Sequence, residues 1–354
     1  SCMKGAKGEK MESILLTGLG ISYPQNNKMD YKDLQEFYAN KNVRIKSIMK
    51  ILGKEQRFSM SLDDDYFSFL EKAALEAIYS SNTKIEDIDM IVVATDTPEY
   101  LSPSNAIRLA NRLNMENVQV AYDLNANCAS GVVAIDQVSS YLKSNIYINT
   151  ALVVLAFMGS YIYMPENPIS YSTFSDSAAA VVLEKEYGDI GTGIIDVCYK
   201  TDCSYNSMDV VPNNGFFNIF LNNERGDQDL KLGMNDDVDL SFIPDMWANQ
   251  MNDFLRKNGL CPKDISQYLF SQFSLYHIKS TLKKLNVEDS HYTYIGNMYG
   301  YNGCCSPLFA LYNACRMRKL KKNDLFILCG IGAGYTSAGL LYKVGKDDLN
   351  CGKY

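Results

Sequence analysis

Tyr122-Asp123-Leu124-Asn125-Ala126-Asn127-Cys128-Ala129-Ser130-Gly131 joins an extended run, which stops at Cys128, to a helix that opens on small residues. The helix continues through Val132, Val133, Ala134 and Ile135. So many small residues at a helix start let other backbone approach closely, and such a helix is usually buried. A cysteine at that position faces unpaired backbone N–H groups and the positive end of the helix dipole. Thiolates in such settings have pKa values lowered to about 3.5–7.5. Two roles fit this local pattern. One is a nucleophilic cysteine that holds an acyl group; the other is a buried cysteine capping a core helix.

The flanking sequence alternates strands and helices. Ile88 to Ala94 (IDMIVVA) and Thr150 to Phe157 (TALVVLAF) are near-continuous β-branched and apolar runs, suited to strands covered on both faces. Ile14 to Gly18 reads as a first strand ending in glycine. Ser61 is expected to open a helix, with Asp63, Asp64 and Asp65 complementing the dipole in its first turn. Phe67, Leu70, Ala74, Ala77 and Ile78 then share one apolar face. A weak internal repeat accompanies the alternation. Glu86-Asp87-Ile88 has a counterpart in Lys263-Asp264-Ile265, which leads into a strand over Gln267 to Phe270, and Thr17-Gly18 has one in Thr192-Gly193. Leu152-Val153-Val154 matches Phe326-Ile327-Leu328, and all three pairs are offset by about 175 residues, half the chain. A duplicated α/β fold follows, with no Pro/Gly/Ser-rich linker between its halves.

Composition narrows the function. The 354 residues include 34 Lys+Arg against 41 Asp+Glu, a formal net charge of −7, with 47% hydrophobic and 21% charged residues. That is globular composition, and a net negative chain lacks the clustered cations that nucleic-acid phosphates require. The apolar stretch from Ala151 to Met164 is too short and broken for a membrane span, and no secretory signal is visible, so a cytoplasmic protein is expected. Residues 1–10 (SCMKGAKGEK) read as an appended tail, with Met11 the natural start. The ten cysteines include no CxxC, and several sit in apolar or small-residue stretches, as reduced core cysteines do. With only His277 and His291 in the chain, zinc is not expected either.

YDLNANCASG resembles the nucleophile segment of β-ketoacyl-ACP synthase III, within the thiolase superfamily. Further segments are similar to the family's in the same order. Thr17-Gly18 through Ser22-Tyr23-Pro24 looks like its opening strand and turn, and Thr95 to Ser104 (TDTPEYLSPS) resembles TxTPDYxxPS. Phe174 to Leu183 (FSDSAAAVVL) resembles FGDGAGAVVL, and Gly332-Ala333-Gly334-Tyr335-Thr336 resembles the late GGGFT. The resemblance spans Met11 to Lys343. It implies a thiolase-like five-layered αβαβα fold from two duplicated halves, residues 11–185 with the nucleophile and 186–354, normally as a homodimer.

The departures from the family pattern bear on chemistry. In the family, a His in PHQANxRI and an Asn in HGN or YGN assist the cysteine. Here the first segment reads Phe270-Ser271-Gln272-Phe273-Ser274-Leu275-Tyr276, which puts Ser271 at the His position. The second reads Tyr299-Gly300-Tyr301-Asn302-Gly303, with Tyr301 at the Asn position and Asn302 one residue late. His277 falls in the following helix, and His291 precedes a strand expected over Tyr292–Ile295. The resemblance also implies an oxyanion hole from the Cys128 and Ala333 N–H groups, since backbone donors tolerate side-chain change. The family's CoA-stacking Arg position holds Pro168, the single Trp, Trp247, lies elsewhere, and the Arg of PHQANxRI is Tyr276. Those changes favour an acyl carrier protein, or another donor, over CoA. Lys279, Lys283 and Lys284 on one helix are candidates for docking it, with Arg316, Arg318, Lys319, Lys321 and Lys322 as a second cluster.

The combined expectation is a transferase of the 3-oxoacyl-ACP synthase III type, in fatty acid biosynthesis by family association. It takes acyl groups from acyl-ACP or acyl-CoA onto Cys128 without a bound cofactor and passes them to an acceptor. Losing His and Asn weakens condensation with malonyl-ACP, because hydroxyl and amide groups are poor bases near pH 7. A carbon–carbon-forming synthase with a rearranged triad and a non-catalytic partner subunit of a synthase are the alternatives.

Overall fold

The computed structural model describes residues 12–188, 191–221, 226–234, 239–346 and 348–352. Residues 1–10 and Met11 lie outside the described residues. Residues 12–187 run through β1 (Glu12–Ser22), β2 (Lys28–Asp30), α1 (Tyr31–Phe37), α2 (Ile45–Leu52), β3 (Gln56–Phe58) and α3 (Tyr66–Ser81). They continue through β4 (Met90–Thr95), α4 (Asn105–Arg112), β5 (Val120–Leu124), α5 (Ser130–Ser144), β6 (Thr150–Phe157), α6 (Pro168–Thr173) and β7 (Ser177–Tyr187). Next come β8 (Gly193–Thr201), β9 (Asp209–Val210), α7 (Phe216–Leu221), β10 (Gly233–Met234), α8 (Ile243–Lys257) and β11 (Ile265–Phe270). The chain closes with α9 (Leu275–Leu285), α10 (Gly296–Tyr299), α11 (Ser306–Arg316), β12 (Leu325–Gly332), β13 (Thr336–Lys343) and β14 (Asn350–Cys351).

Two sheets carry the repeat. The first has six strands in the order β14-β1-β7-β6-β4-β5, and the second has four in the order β11-β12-β13-β8. Within them β1-β7-β6-β4 and β8-β13-β12-β11 are the same unit: antiparallel, antiparallel, then parallel. Each pair of repeated tripeptides falls on equivalent strands or their entrances, so the offset in sequence is an offset between superposable units.

Side chains alternate across each strand, and the alternation builds the layers. In β6, Val153, Leu155 and Phe157 face a central core, whereas Leu152, Val154 and Ala156 face an outer one. In β12, Phe326 and Leu328 join the same central core, and Ile327 and Cys329 face the opposite outer one. The central core holds α5 and α11, through Val132, Ile135, Leu308 and Leu311. Helices α3 and α4 cover the far face of the first sheet, through Leu70, Ile78 and Leu109; α8 and α9 cover that of the second, through Trp247, Met251 and Leu282. Five αβαβα layers result. Strands buried on both faces explain why their sequences read as unbroken apolar runs.

Two local expectations are corrected. Helix α3 starts at Tyr66 with Asp65 as its N-cap, donating nothing and accepting from the Phe67 N–H. Ser61 instead forms a turn whose N–H and hydroxyl both donate to Asp64 Oδ2. Residues Tyr292–Ile295 form no strand: Tyr292 makes one isolated bridge to Tyr268, and α10 follows.

Candidate active site around Cys128

The turn between β5 and α5 sets Cys128 in place. Asn127 adopts a left-handed φ of 52°, a conformation Asn tolerates better than most residues. Its N–H donates to Asn125 Oδ1 at 2.9 Å, an Asx turn. The Ser130 hydroxyl donates to Asn127 O at 2.6 Å and accepts from the Ala126 N–H at 2.7 Å. Cys128 therefore lies at the mouth of α5, half-buried. A Cβ on Gly131 would stand 2.6 Å from Cys304 O, and one on Gly332 would stand 2.6 Å from Ala126 O. The small helix start brings the second sheet's segments against the cysteine.

Ser271 and Tyr301 converge there. Ser271 directly follows β11, and its N–H donates to Cys329 O at 2.7 Å. Tyr301 is pinned by its N–H to Thr173 O at 2.7 Å and its ring by Phe174, Phe273 and Phe157, with centroids at 4.9, 5.5 and 6.1 Å. The Tyr301 hydroxyl lies 3.2 Å from Ser271 Oγ and also hydrogen-bonds the Cys128 thiol. The three residues form one chain, Cys128–Tyr301–Ser271. Asn302 is not part of it. It is buried beneath the site, with Nδ2 3.5 Å from Tyr299 O and with no partner for Oδ1 among the described residues.

The electrostatics overturn the expected thiolate. Burial holds the Cys128 thiol well above its ordinary pKa, the Asp96 carboxylate adds to that, and the Tyr301 hydrogen bond pulls the other way. Burial likewise keeps Tyr301 protonated. The expected oxyanion donor Ala333 is also amended, because its N–H donates to Asn127 Oδ1 at 2.8 Å. Asn127 Nδ2 in turn donates to Asp96 Oδ2 at 2.9 Å.

Asp96, Asn127 and Asp209 are site residues that sequence reasoning missed. Burial pushes Asp96 up to about 6 and Asp209 up to about 6, and both charges act on Cys128. The signal for Asp96 was its place immediately after β4, where a carboxylate at the end of a fully buried strand has little water. Asp209 lies in a two-residue strand that gives no periodicity to read.

The remaining candidates lie elsewhere. The His277 ring packs on Tyr276 in the first turn of α9, and burial lowers its pKa. His291 Nδ1 is 2.6 Å from Ile265 O, a structural bond at the start of β11. Trp247 is core, its ring tilted against Phe270 with centroids 4.8 Å apart. Pro168 opens α6, and Tyr276 is 62% exposed. Among the lysines, Lys279 reaches Asp289 at 3.8 Å and Lys284 reaches Asp245 at 2.7 Å, while Lys283 lines a groove with Lys50, Ile51 and Tyr276. Among the described residues no cluster of three or more His, Cys, Asp or Glu is placed to hold a metal ion, and no helix is long and apolar enough to cross a membrane.

Paired sheets of one repeated topology, with a cysteine at the mouth of a central helix, define the thiolase class of α/β protein. Family models agree: 3-oxoacyl-(acyl-carrier-protein) synthase III matches residues 122–203, and its C-terminal model matches residues 255–344. The β-ketoacyl-(acyl-carrier-protein) synthase III of Campylobacter jejuni is 27% identical over 310 residues, covering 85% of this chain and 90% of that protein. The enzyme of the same name from Clostridium acetobutylicum is 28% identical over 334 residues, covering 94% and 99%. The crystal structure of 3-oxoacyl-(acyl carrier protein) synthase III from Pseudomonas aeruginosa PAO1 superposes with a TM-score of 0.83 at 21% identity, covering 94% of this chain and 99% of that one. The chain is a β-ketoacyl-ACP synthase III-like protein of the thiolase superfamily.

Proposed function

We propose that this protein is an acyltransferase that takes an acyl group from an acyl thioester onto Cys128 and hands it to an acceptor other than malonyl-ACP. The observation that carries this reading is the Cys128–Tyr301–Ser271 chain, in which the nucleophile is present and hydroxyls stand at the partner positions. Attack of sulfur on a thioester carbonyl needs a proton to leave the thiol and donors at the developing oxyanion. The Cys128 N–H is aligned by the α5 turn, and the Ala333 N–H becomes a second donor once the acyl oxygen displaces Asn127 Oδ1. Decarboxylative condensation would further need an enolate stabilised by positioned donors, and each such group contributes roughly 10²–10⁴-fold. Ser271 and Tyr301 are weak acids engaged with each other and with the thiol.

The names of the relatives support an acyl carrier protein as the donor's carrier. The groove between α2 and α9 supplies Lys50 and Lys283 to an acidic partner, and a homodimer is the assembly this fold class favours. Intact-protein mass after incubation with a panel of acyl-CoA and acyl-ACP donors tests the reading. A mass gain in wild type that Cys128→Ala abolishes supports it, and product formation by Cys128→Ala refutes it.

A further inference from the structure

One carboxylate oxygen beside the nucleophile has no partner. Asp96 Oδ2 accepts from Asn127 Nδ2 at 2.9 Å, whereas Oδ1 is buried without a hydrogen bond among the described residues. A buried carboxylate oxygen left bare is costly unless something with a proton comes to meet it. Among the described residues no cation acts on it. The titratable groups that sense its charge are Cys128 before α5, Tyr161 and Tyr163 after β6, and Tyr301 and Cys304 before α11. All of these are thiols or phenols kept neutral by burial. Asp209 from β9 is a second carboxylate acting on the same sulfur. Two carboxylates repel an anionic malonyl group and welcome a neutral or cationic one.

We propose that Asp96 is the general base for the second half-reaction, and that the acceptor is an alcohol or an amine. This rests on the reading that Cys128 carries the acyl group. Asp96 Oδ1 takes the proton of the acceptor O–H or N–H as its electron pair forms a bond to the thioester carbonyl carbon. The C–S bond then breaks, its electron pair leaves on Cys128 Sγ, and the proton passes from the Asp96 carboxyl to that sulfur. The products are an ester or amide and the free thiol. The bond from Asn127 engages Oδ2 and leaves Oδ1 as the oxygen without a partner among the described residues. A base with a pKa near 6 is ionised at pH 7 and still basic enough to work.

The test separates loading from discharge. Wild type and Asp96→Asn are incubated with short- and medium-chain acyl-CoA, freed of donor, and mixed with 1-butanol or ethanolamine. Adduct loss and the butyl ester or ethanolamide are followed by mass. Discharge to 1-butanol, whose hydroxyl does not titrate in this range, should rise with pH in wild type through a midpoint near 6, and Asp96→Asn should slow it roughly 10²-fold with a flat profile. Alkylation of the unloaded Cys128 by iodoacetamide should instead be faster in Asp96→Asn, because a negative charge that disfavours the thiolate is gone. A purely structural role would not move the two rates in opposite directions. Discharge in Asp96→Asn within twofold of wild type, or a wild-type adduct that survives both acceptors, overturns the role of Asp96. If Asp96→Asn does not fold, a flat wild-type profile between pH 5 and 8 overturns it just as well. No adduct with any donor refutes the acyl-carrier reading itself, a different failure.

Discussion

Replacing Tyr301 with Phe removes one oxygen from the centre of the site and leaves the packing in place. The ring keeps its contacts with Phe174, Phe273 and Phe157, so the substitution isolates the hydroxyl. That hydroxyl is the group that lowers the Cys128 pKa against burial and against Asp96. A hydrogen bond to a charged group contributes about 1.5–3 kcal/mol, which is about one to two pKa units. The thiolate fraction of Cys128 should therefore fall about 10- to 100-fold at a fixed pH below its midpoint. Fully buried Ser271 Oγ loses its 3.2 Å partner as well, which costs about 1–3 kcal/mol of stability and a few degrees of melting temperature. The assay is pulsed iodoacetamide alkylation from pH 7 to 10, with each cysteine quantified by peptide mapping. Exposed Cys203 and Cys261 serve as internal references whose rates should not change. A Cys128 profile in Tyr301→Phe that is unmoved, or moved to lower pH, refutes the hydroxyl's role.

Three other outcomes follow from the same geometry. Ser271→His with Tyr301→Asn trades volume from one position to the other, and the double variant should release β-ketoacyl product with malonyl-ACP at least tenfold faster than wild type, whereas Ser271→His alone should not, because the Tyr301 ring occupies the space. Asp96→Asn should be more stable than wild type at pH 7.5. The raised pKa of Asp96, from 3.8 to about 6, gives stability that is complete below the unfolded value and lost as pH rises through about 6. Above that, wild type carries about 3 kcal/mol of penalty that Asn escapes, and the gap in melting temperature should close near pH 4. Lys283→Glu, in the groove with Lys50, should lower the ratio of acyl-ACP to acyl-CoA transfer several-fold, with the effect shrinking at high salt.

The layers were legible in the sequence because burial on both faces leaves no room for polar alternation. IDMIVVA and TALVVLAF became β4 and β6 for that reason, and the offset tripeptides marked equivalent strands. Cys128 at a helix mouth was legible from the small residues after it. The start of α3 was not, since Asp63, Asp64 and Asp65 all suit a cap, and only local hydrogen bonding decides that Asp64 closes a turn while Asp65 caps. The run Tyr292–Ile295 has strand composition, yet its side chains are spent sideways. Thr293 Oγ1 donates to Gln267 Oε1 at 2.7 Å, and the Tyr294 hydroxyl accepts from buried Lys54 at 2.8 Å. The thiol's pKa direction was the deepest miss. A helix dipole is local and readable, but desolvation and the Asp96 charge arrive from distant parts of the chain. The same distance hid the bond from Asn127 to Ala333, which joins two motifs that each looked complete alone.

What the site retains and what it lacks differ in where charge develops. In the proposed reaction, loading Cys128 builds negative charge on one carbonyl oxygen near the α5 mouth, where the Ala333 N–H is held by Asn127 Oδ1. Condensation would build a second negative charge further out, on an enolate, in a region where two carboxylates already act on the sulfur and the nearby hydroxyls turn inward to Tyr301 and Cys128. Adding an enolate there stacks like charges in a poorly hydrated site, which is unfavourable by several kcal/mol. An alcohol or amine brings no charge of that sign and delivers a proton instead. Asp96 Oδ1, buried and without a partner among the described residues, is the group proposed to receive it. The Cys128–Tyr301–Ser271 chain and the carboxylate of Asp96 are thus the two features on which proposed acyl transfer to oxygen or nitrogen rests.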